Sequence, residues 1–180
     1  MEDISLHILD IAENSVSAGA VVIKIKILED TVKDLLSVEI EDNGRGIPED
    51  LIKKVLDPFY TTRTTRKVGF GLSLLAQSAK EAGGDISIKS RENAGTTISA
   101  HFKHSHIDRK PLGNITDTII VLIAGNPDID FIFTYDKNNN TYSLDTCQIK
   151  AELDGIPINS PPVISAIRKD LREFMDTLKG

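Results

Sequence analysis

Asp10 and Asn14 stand four residues apart in Leu9-Asp10-Ile11-Ala12-Glu13-Asn14-Ser15. On a helix that spacing puts them on one face, one turn apart. A carboxylate and a carboxamide oxygen so placed can hold a hydrated Mg²⁺, which takes oxygen ligands and keeps several waters, and can orient a water or hydroxyl. A solvated polar face gives the same pattern. In Asp42-Asn43-Gly44-Arg45-Gly46-Ile47-Pro48 a carboxylate follows an apolar alternating run. It can accept a hydrogen bond from an exocyclic amine such as that of adenine, while Gly44 and Gly46 let the backbone pass close to a flat ring. A plain turn is the competing reading, since Asp-Asn-Gly is a common turn sequence. Gly69-Phe70-Gly71-Leu72 opens a helix, where backbone N–H groups favour an anion such as a polyphosphate. Arg63, Arg66 and Lys67 precede it and can close over phosphates, or form only an exposed basic loop. Gly95-Thr96-Thr97 by itself signals a turn.

The elements that must carry these residues follow from periodicity. Ile4, Ile8, Ile11 and Ala12 recur at helical spacing over 4–18, and Gly19 ends that helix. In 21–28, Val21, Ile23, Ile25 and Ile27 alternate with Lys24 and Lys26, a half-buried strand; Leu36, Val38 and Ile40 repeat the pattern in 36–41. Pro48 suits the first turn of a short helix that Pro58 stops. Residues 61–67 read as loop, 70–82 as a helix capped by Gly83 or Gly84, and 85–90 and 96–103 as paired strands. Strands arriving as hairpins predict an α/β (α+β) two-layer sandwich, with a mixed sheet and helices on one face.

A polar, broken stretch at 104–116 reads as a linker between residues 1–103 and a C-terminal α+β extension over 117–180. Within the extension, 117–124 is an apolar strand candidate, and 129–135 and 141–149 form a hairpin about Asn138-Asn139-Asn140. The end is a helix with Ser160 as N-cap, Pro161 at its first position, and a stripe of Ile164, Ile167, Leu171, Phe174 and Leu178. Cys147 is the only cysteine, which excludes an internal disulfide and a cysteine-based metal site; it reads as a small hydrophobe in a strand.

The chain has 180 residues, 40% of them hydrophobic and no Trp, so its core rests on Ile, Leu, Val and Ala. A net charge of −6 argues against sequence-independent nucleic-acid binding. No apolar run reaches the ~18 residues of a membrane span, and the acidic start is unlike a signal peptide, so the expectation is a cytoplasmic protein with no membrane partner.

Taken together and in order, the segments resemble the gyrase, chaperone, histidine-kinase and mismatch-repair (GHKL) ATP-binding family over about residues 4–103. Asp10 to Asn14 is similar to its N box, and Asp42 to Pro48 to the adenine-reading glycine box. Asp57-Pro58-Phe59-Tyr60-Thr61-Thr62-Arg63 resembles the F box and lid entry, Val68 to Ser73 the second glycine box, and Gly95-Thr96-Thr97 the last one. The short lid resembles histidine kinases and anti-sigma-factor kinases, while Glu13 to Ala20 resembles mismatch-repair ATPases. The resemblance implies Asn14 as Mg²⁺ ligand, Asp42 reading the adenine amine, and Gly46 against the ring with Thr96 supporting through water. It further implies nucleotide contacts at Gly44, Phe59, Phe70, Arg63 and Lys67, and backbone contacts to phosphate at Gly69, Gly71 and Leu72. Asp10 falls where many members carry a glutamate that acts as general base; Lys67-Val68 falls where kinases often have Gly-Thr.

Three activities are compatible with this reading: a regulatory kinase passing the ATP γ-phosphoryl to a protein partner, a slow ATPase whose lid closure switches a protein contact, and a nucleotide sensor with little turnover. The first is expected. His7, three residues before Asp10, reads as packing or surface, and His104 and His106 as solvated linker, so the phosphoacceptor is expected on a separate protein. ATP or ADP and Mg²⁺ are the implied ligands. Monomer and dimer both remain open.

Overall fold

The computed structural model describes residues 3–56 and 71–179. The predicted helix over 70–82, whose first residue lies outside that range, is α3 (Gly71–Glu81); the predicted loop over 61–67 also lies outside. The other N-terminal elements are α1 (Ile4–Ser17), β1 (Val22–Asp30), β2 (Leu35–Asp42), α2 (Glu49–Val55), β3 (Asp85–Ser90) and β4 (Thr96–Lys103). The strands join one mixed sheet with β5 (Asp130–Lys137) and β6 (Asn140–Asp145), in the order β3-β4-β2-β1-β5-β6. All neighbours are antiparallel except β1 and β5, where Ile23 stands beside Phe131 and Ile27 beside Tyr135.

Alternation sets the two faces. Ile23, Ile25 and Ile27 of β1 and Leu36, Val38 and Ile40 of β2 are buried, whereas Lys24 and Lys26 are exposed. Lys24 pairs with Glu41 across the outer face at 2.9 Å, an exposed contact worth at most ~1 kcal/mol. The inner face is covered by α1, α3, α4 (Ile115–Gly125) and α6 (Pro161–Thr177), so the predicted two-layer sandwich with a mixed sheet is what the chain forms. Val21, expected to point inward, is 60% exposed; the strand begins one residue later, where Asn43 Oδ1 accepts both the Val21 and Val22 N–H groups.

The C-terminal region departs from the reading at three places. The 117–124 strand candidate is helix α4. The outward positions Asp117 and Val121 are one helical turn apart, but Val121 is as apolar as the buried residues around it, so the sequence hides the period; the local signal is the cap, where Asn114 Oδ1 accepts the Asp117 N–H at 3.0 Å. The 141–149 strand stops at Asp145, which caps a short helix α5 (Thr146–Glu152) by accepting the Cys147 N–H. Cys147 is therefore exposed on a helix rather than packed in a strand. Ser160 occupies the N-cap of α6 without a side-chain cap bond; Pro162 at the second helical position removes one of the two N–H groups such a bond uses.

The 104–116 stretch is tied down. The Ile4 and Ser5 N–H groups donate to Pro111 and Leu112 carbonyls at 3.0 and 2.8 Å. His104 is not solvated linker: its Nε2 bonds Glu29 Oε2 at 2.9 Å. The core is also more aromatic than expected at its C-terminal side, where Phe133, Tyr135, Tyr142 and Phe174 form edge and stacked contacts. No helix among the described residues is long and apolar enough to cross a membrane.

Candidate functional site

Helix α1 starts where Asp3 accepts the Leu6 N–H, and it buries Ile4, Ile8, Ile11 and Ala12 on the sheet. Ser15 continues that buried stripe. A hydroxyl there needs a partner, and Ser15 Oγ donates to Asp42 Oδ2 at 2.7 Å. The other carboxylate oxygen, Oδ1, accepts the Gly44 N–H at 2.9 Å. Asp42 is buried at the end of β2, with both oxygens oriented and each keeping a free acceptor direction.

The backbone beyond Asp42 folds tightly around this carboxylate. The Arg45 N–H donates to Ala18 O at 3.0 Å, and Asn93 N–H to Arg45 O at 2.7 Å. Gly46 has φ +69°, and a Cβ there would lie 2.1 Å from Arg91 O; only glycine fits on both counts. The Ile47 N–H donates to Ser90 Oγ at 2.7 Å, and Ser90 Oγ lies 2.8 Å from Thr96 Oγ1. Thr96 is buried and stands opposite Asp42 in the β2–β4 register. Asp42, Gly44, Gly46 and Thr96 thus belong to one cluster, and the carboxylate at its floor can receive an amine hydrogen.

Asp10 and Asn14 lie on α1 beside this floor. Asn14 is half-buried and hydrogen-bonds no other described residue through its side chain, and Glu13 is exposed. Asp10 faces the start of α3: a Cβ on Gly71 would fall 1.6 Å from Asp10 Oδ2. Burial pushes the Asp10 carboxyl above its ordinary value, and the Gly71 backbone N–H works against that shift. Its Oδ2 is buried without a hydrogen-bond partner among the described residues. Leu72 is buried in the first turn of α3. The structure therefore brings Asp10 to Gly71 and gathers Asp42, Gly44, Gly46 and Thr96. Phe59, Arg63, Lys67, Gly69 and Phe70 lie outside the described residues.

His7 is fully buried one turn before Asp10, both ring nitrogens lacking partners among the described residues. Burial, with the positive charge of Lys110, lowers its pKa to about 4, so the ring is neutral at pH 7. The described residues contain no group of three His, Cys, Asp or Glu placed to hold a metal.

The sequence reading assigns no role to Ser15, Asn43 or Ser90, although the first two stand inside its motif segments. Ser15 had a signal, a polar residue in line with Ile8, Ile11 and Ala12 at helical spacing. Ser90 had none, because its role depends on the β3–β4 turn returning it to Ile47.

The fit to a nucleotide rests on two features: a glycine cradle that a single Cβ would fill, and a buried carboxylate oxygen without a partner. Similarity to known proteins agrees with it. A putative NtrY-like sensor histidine kinase of Rickettsia conorii is 31% identical over 110 residues, 61% of this chain and 18% of that protein. The sensor kinase CckA of Brucella abortus is 42% identical over 66 residues, 36% of this chain and 7% of its own length. The chain thus spans less than a fifth of either relative. Among solved structures, the N-terminal domain of a DNA repair protein superposes with a TM-score of 0.50 at 17% identity, covering 81% of this chain and 52% of that one, a likeness of fold. The family model described as histidine kinase-, DNA gyrase B-, and HSP90-like ATPase matches residues 2–106. The chain belongs to this ATPase family, the GHKL family, whose nucleotide-binding domain it carries.

Proposed function

We propose that this chain binds Mg²⁺-ATP and is the ATP-handling part of a regulatory protein kinase that acts on a separate partner protein. The observation that carries the reading is the buried Asp42 carboxylate, oriented by Ser15 Oγ and the Gly44 N–H beside a glycine-only backbone. In this reading Asp42 accepts a hydrogen bond from the adenine amine, and Gly44, Gly46 and Thr96 support the base. Asn14 supplies the protein oxygen to Mg²⁺. Gly69, Gly71 and Leu72 offer backbone N–H groups to the phosphates, joined by Phe59, Phe70, Arg63 and Lys67. Bound Mg²⁺-ATP supplies the phosphoryl group and its charge neutralisation.

Asp10 acts as the general base that takes a proton from the attacking hydroxyl or imidazole. Its burial suits this role, because a carboxylate with a raised pKa holds a proton better nearer neutral pH. Residues 1–103 form the ATP-binding unit, and 117–180 are an extension that adds a hairpin and helices to the same sheet.

The test is calorimetric ATP binding, with and without Mg²⁺, on wild type and Asp42→Asn, alongside phosphate release. The amide keeps the shape and volume of the carboxylate but loses its charge and one acceptor. Mg²⁺-dependent binding to wild type, weakened at least tenfold in Asp42→Asn, supports the adenine role. Equal binding by the two proteins refutes it. Phosphate release without any partner identifies the slow ATPase reading instead; binding with no release is the outcome expected of a kinase lacking its acceptor or of a nucleotide sensor.

A further inference from the structure

The C-terminal half builds a second concavity, remote in sequence from every residue assigned to the nucleotide. Its floor is Leu144 of β6 and Ile167 of α6, both buried. Ile149 and Leu153 form one wall, and Val163 of α6 stands opposite, all half-buried. Ile156 is lifted to the rim, 55% exposed, by a turn in which Asp154 and Gly155 both adopt positive φ, +46° and +85°. The groove encloses about 570 Å³, within the ~300–1,000 Å³ of ligand-binding clefts. More than half of Ile156, a large aliphatic residue, is left to solvent.

Charge specifies the occupant. Asp145, Glu152 and Asp170 line the groove, and no Lys, Arg or His lines it. Asp145 accepts the Cys147 N–H and Asp170 accepts the Tyr142 hydroxyl, both neutral donors, so neither charge is cancelled. None of the three carboxylates forms an ion pair among the described residues. The nearby cations are committed elsewhere: Lys150 to Asp130, and Arg168 to Asp117. An apolar trough with an unpaired acidic rim complements a helix that has an apolar stripe and Lys or Arg on its flanks.

We infer that the groove between β6, α5 and α6 is a docking site for a basic amphipathic helix of a partner protein. Such a site gives an ATP-handling unit a means of holding a separate protein, but it stands on residues the nucleotide does not need. Loss of ATP binding in Asp42→Asn and loss of docking are therefore separate results.

The probe is a fluorescein-labelled peptide of about 18 residues, long enough to be helical, built of Leu and Lys at helical spacing. Two controls accompany it, a Leu/Glu peptide of the same pattern and a shuffled Leu/Lys peptide. Binding is read by anisotropy near physiological salt, where distant charges are screened beyond ~8 Å. Ala166→Arg places a charged, bulky side chain at an exposed position in the groove. Glu152→Lys reverses one rim charge. Glu92→Lys makes the same net change in the exposed β3–β4 turn, at the opposite end of the sheet order. The expected result is micromolar binding of the patterned Leu/Lys peptide alone, weakened at least tenfold by Ala166→Arg and severalfold by Glu152→Lys, and unchanged by Glu92→Lys, with thermal midpoints of all variants near wild type. Equal binding of the Leu/Glu or shuffled peptide overturns the inference. So does equal loss in Glu92→Lys and Glu152→Lys, which marks general attraction to an acidic protein. A wild-type dimer in sedimentation that Ala166→Arg dissociates also overturns it, since a second copy is then the occupant.

Discussion

Replacing Gly71 by alanine reads the contact between the start of α3 and the carboxylate of Asp10. In an ordinary helix the change is favourable by ~0.5–1 kcal/mol, because alanine has less backbone freedom to lose. Here the new Cβ would fall 1.6 Å from Asp10 Oδ2 and 2.6 Å from its Cγ. Normal van der Waals separation is ~3.5 Å, so the carboxylate or the helix must retreat by roughly 2 Å. The carboxylate has little room, since Oδ2 is buried and Leu72 and Leu75 of α3 are fixed in the core. Overpacking of this kind costs ~1–3 kcal/mol, which for a chain of this size lowers the thermal midpoint by about 2–12 °C. The measurement is a double-mutant cycle by urea denaturation. Asp10→Ala alone removes a desolvated carboxylate and should be neutral or stabilising. In that background Gly71→Ala should become neutral or favourable, giving a coupling of ~1–3 kcal/mol. Additive effects, or an unchanged midpoint for Gly71→Ala alone, refute the proposed contact.

Two further expectations follow from buried titratable groups. Burial pushes the Glu29 carboxyl up, but hydrogen bonds from Tyr135 and His104 outweigh it and hold the carboxyl below its ordinary 4.5. A lowered acid stabilises the fold fully above its unfolded value and loses that contribution as pH falls through the folded one. Tyr135→Phe should therefore cost ~1.5–3 kcal/mol in urea denaturation at pH 7, with the gap to wild type narrowing toward pH 3.5; a gap independent of pH contradicts the assignment. His7, buried and neutral, behaves in the opposite sense to a histidine paired with a carboxylate. With a folded pKa near 4 against 6.5, the unfolded chain takes up the proton first, so wild type loses stability as pH falls through that window. The loss is at most about 3.5 kcal/mol. His7→Leu should be no less stable at pH 7.5 and should lack that decline; a loss above ~1 kcal/mol at pH 7.5 would show that the imidazole has a partner.

What could be read from residue order differs along the chain for physical reasons. Strands β1 and β2 are covered on one face, so Ile23, Ile25 and Ile27 must alternate with Lys24 and Lys26, and the pattern is visible locally. The cluster around Asp42 was visible because close backbone approach demands glycine at Gly46, whose Cβ would strike Arg91 O, and this demand leaves a spaced signature. The bond from Ser15 to Asp42 spans 27 residues and leaves only a hint, a hydroxyl in an apolar stripe. The parallel pairing of β1 with β5 leaves none, because either strand can satisfy its ladder with other partners and register is chosen by packing. Helix α4 is the instructive case. Seven of its residues from Ile115 to Ile123 are buried, and Val121, which is 51% exposed, is itself apolar, so composition hides the helical period. What remains is end chemistry. Asn114 Oδ1 accepts the Asp117 N–H, and Asn114 Nδ2 donates to Asp117 Oδ2 at 2.5 Å. Asp117 also receives Arg168 of α6, which ties α4 to the last helix. A buried helix between two others is thus announced by its cap alone, and a Gly-Asn pair before an apolar run is better read as the start of a helix than as the end of a linker.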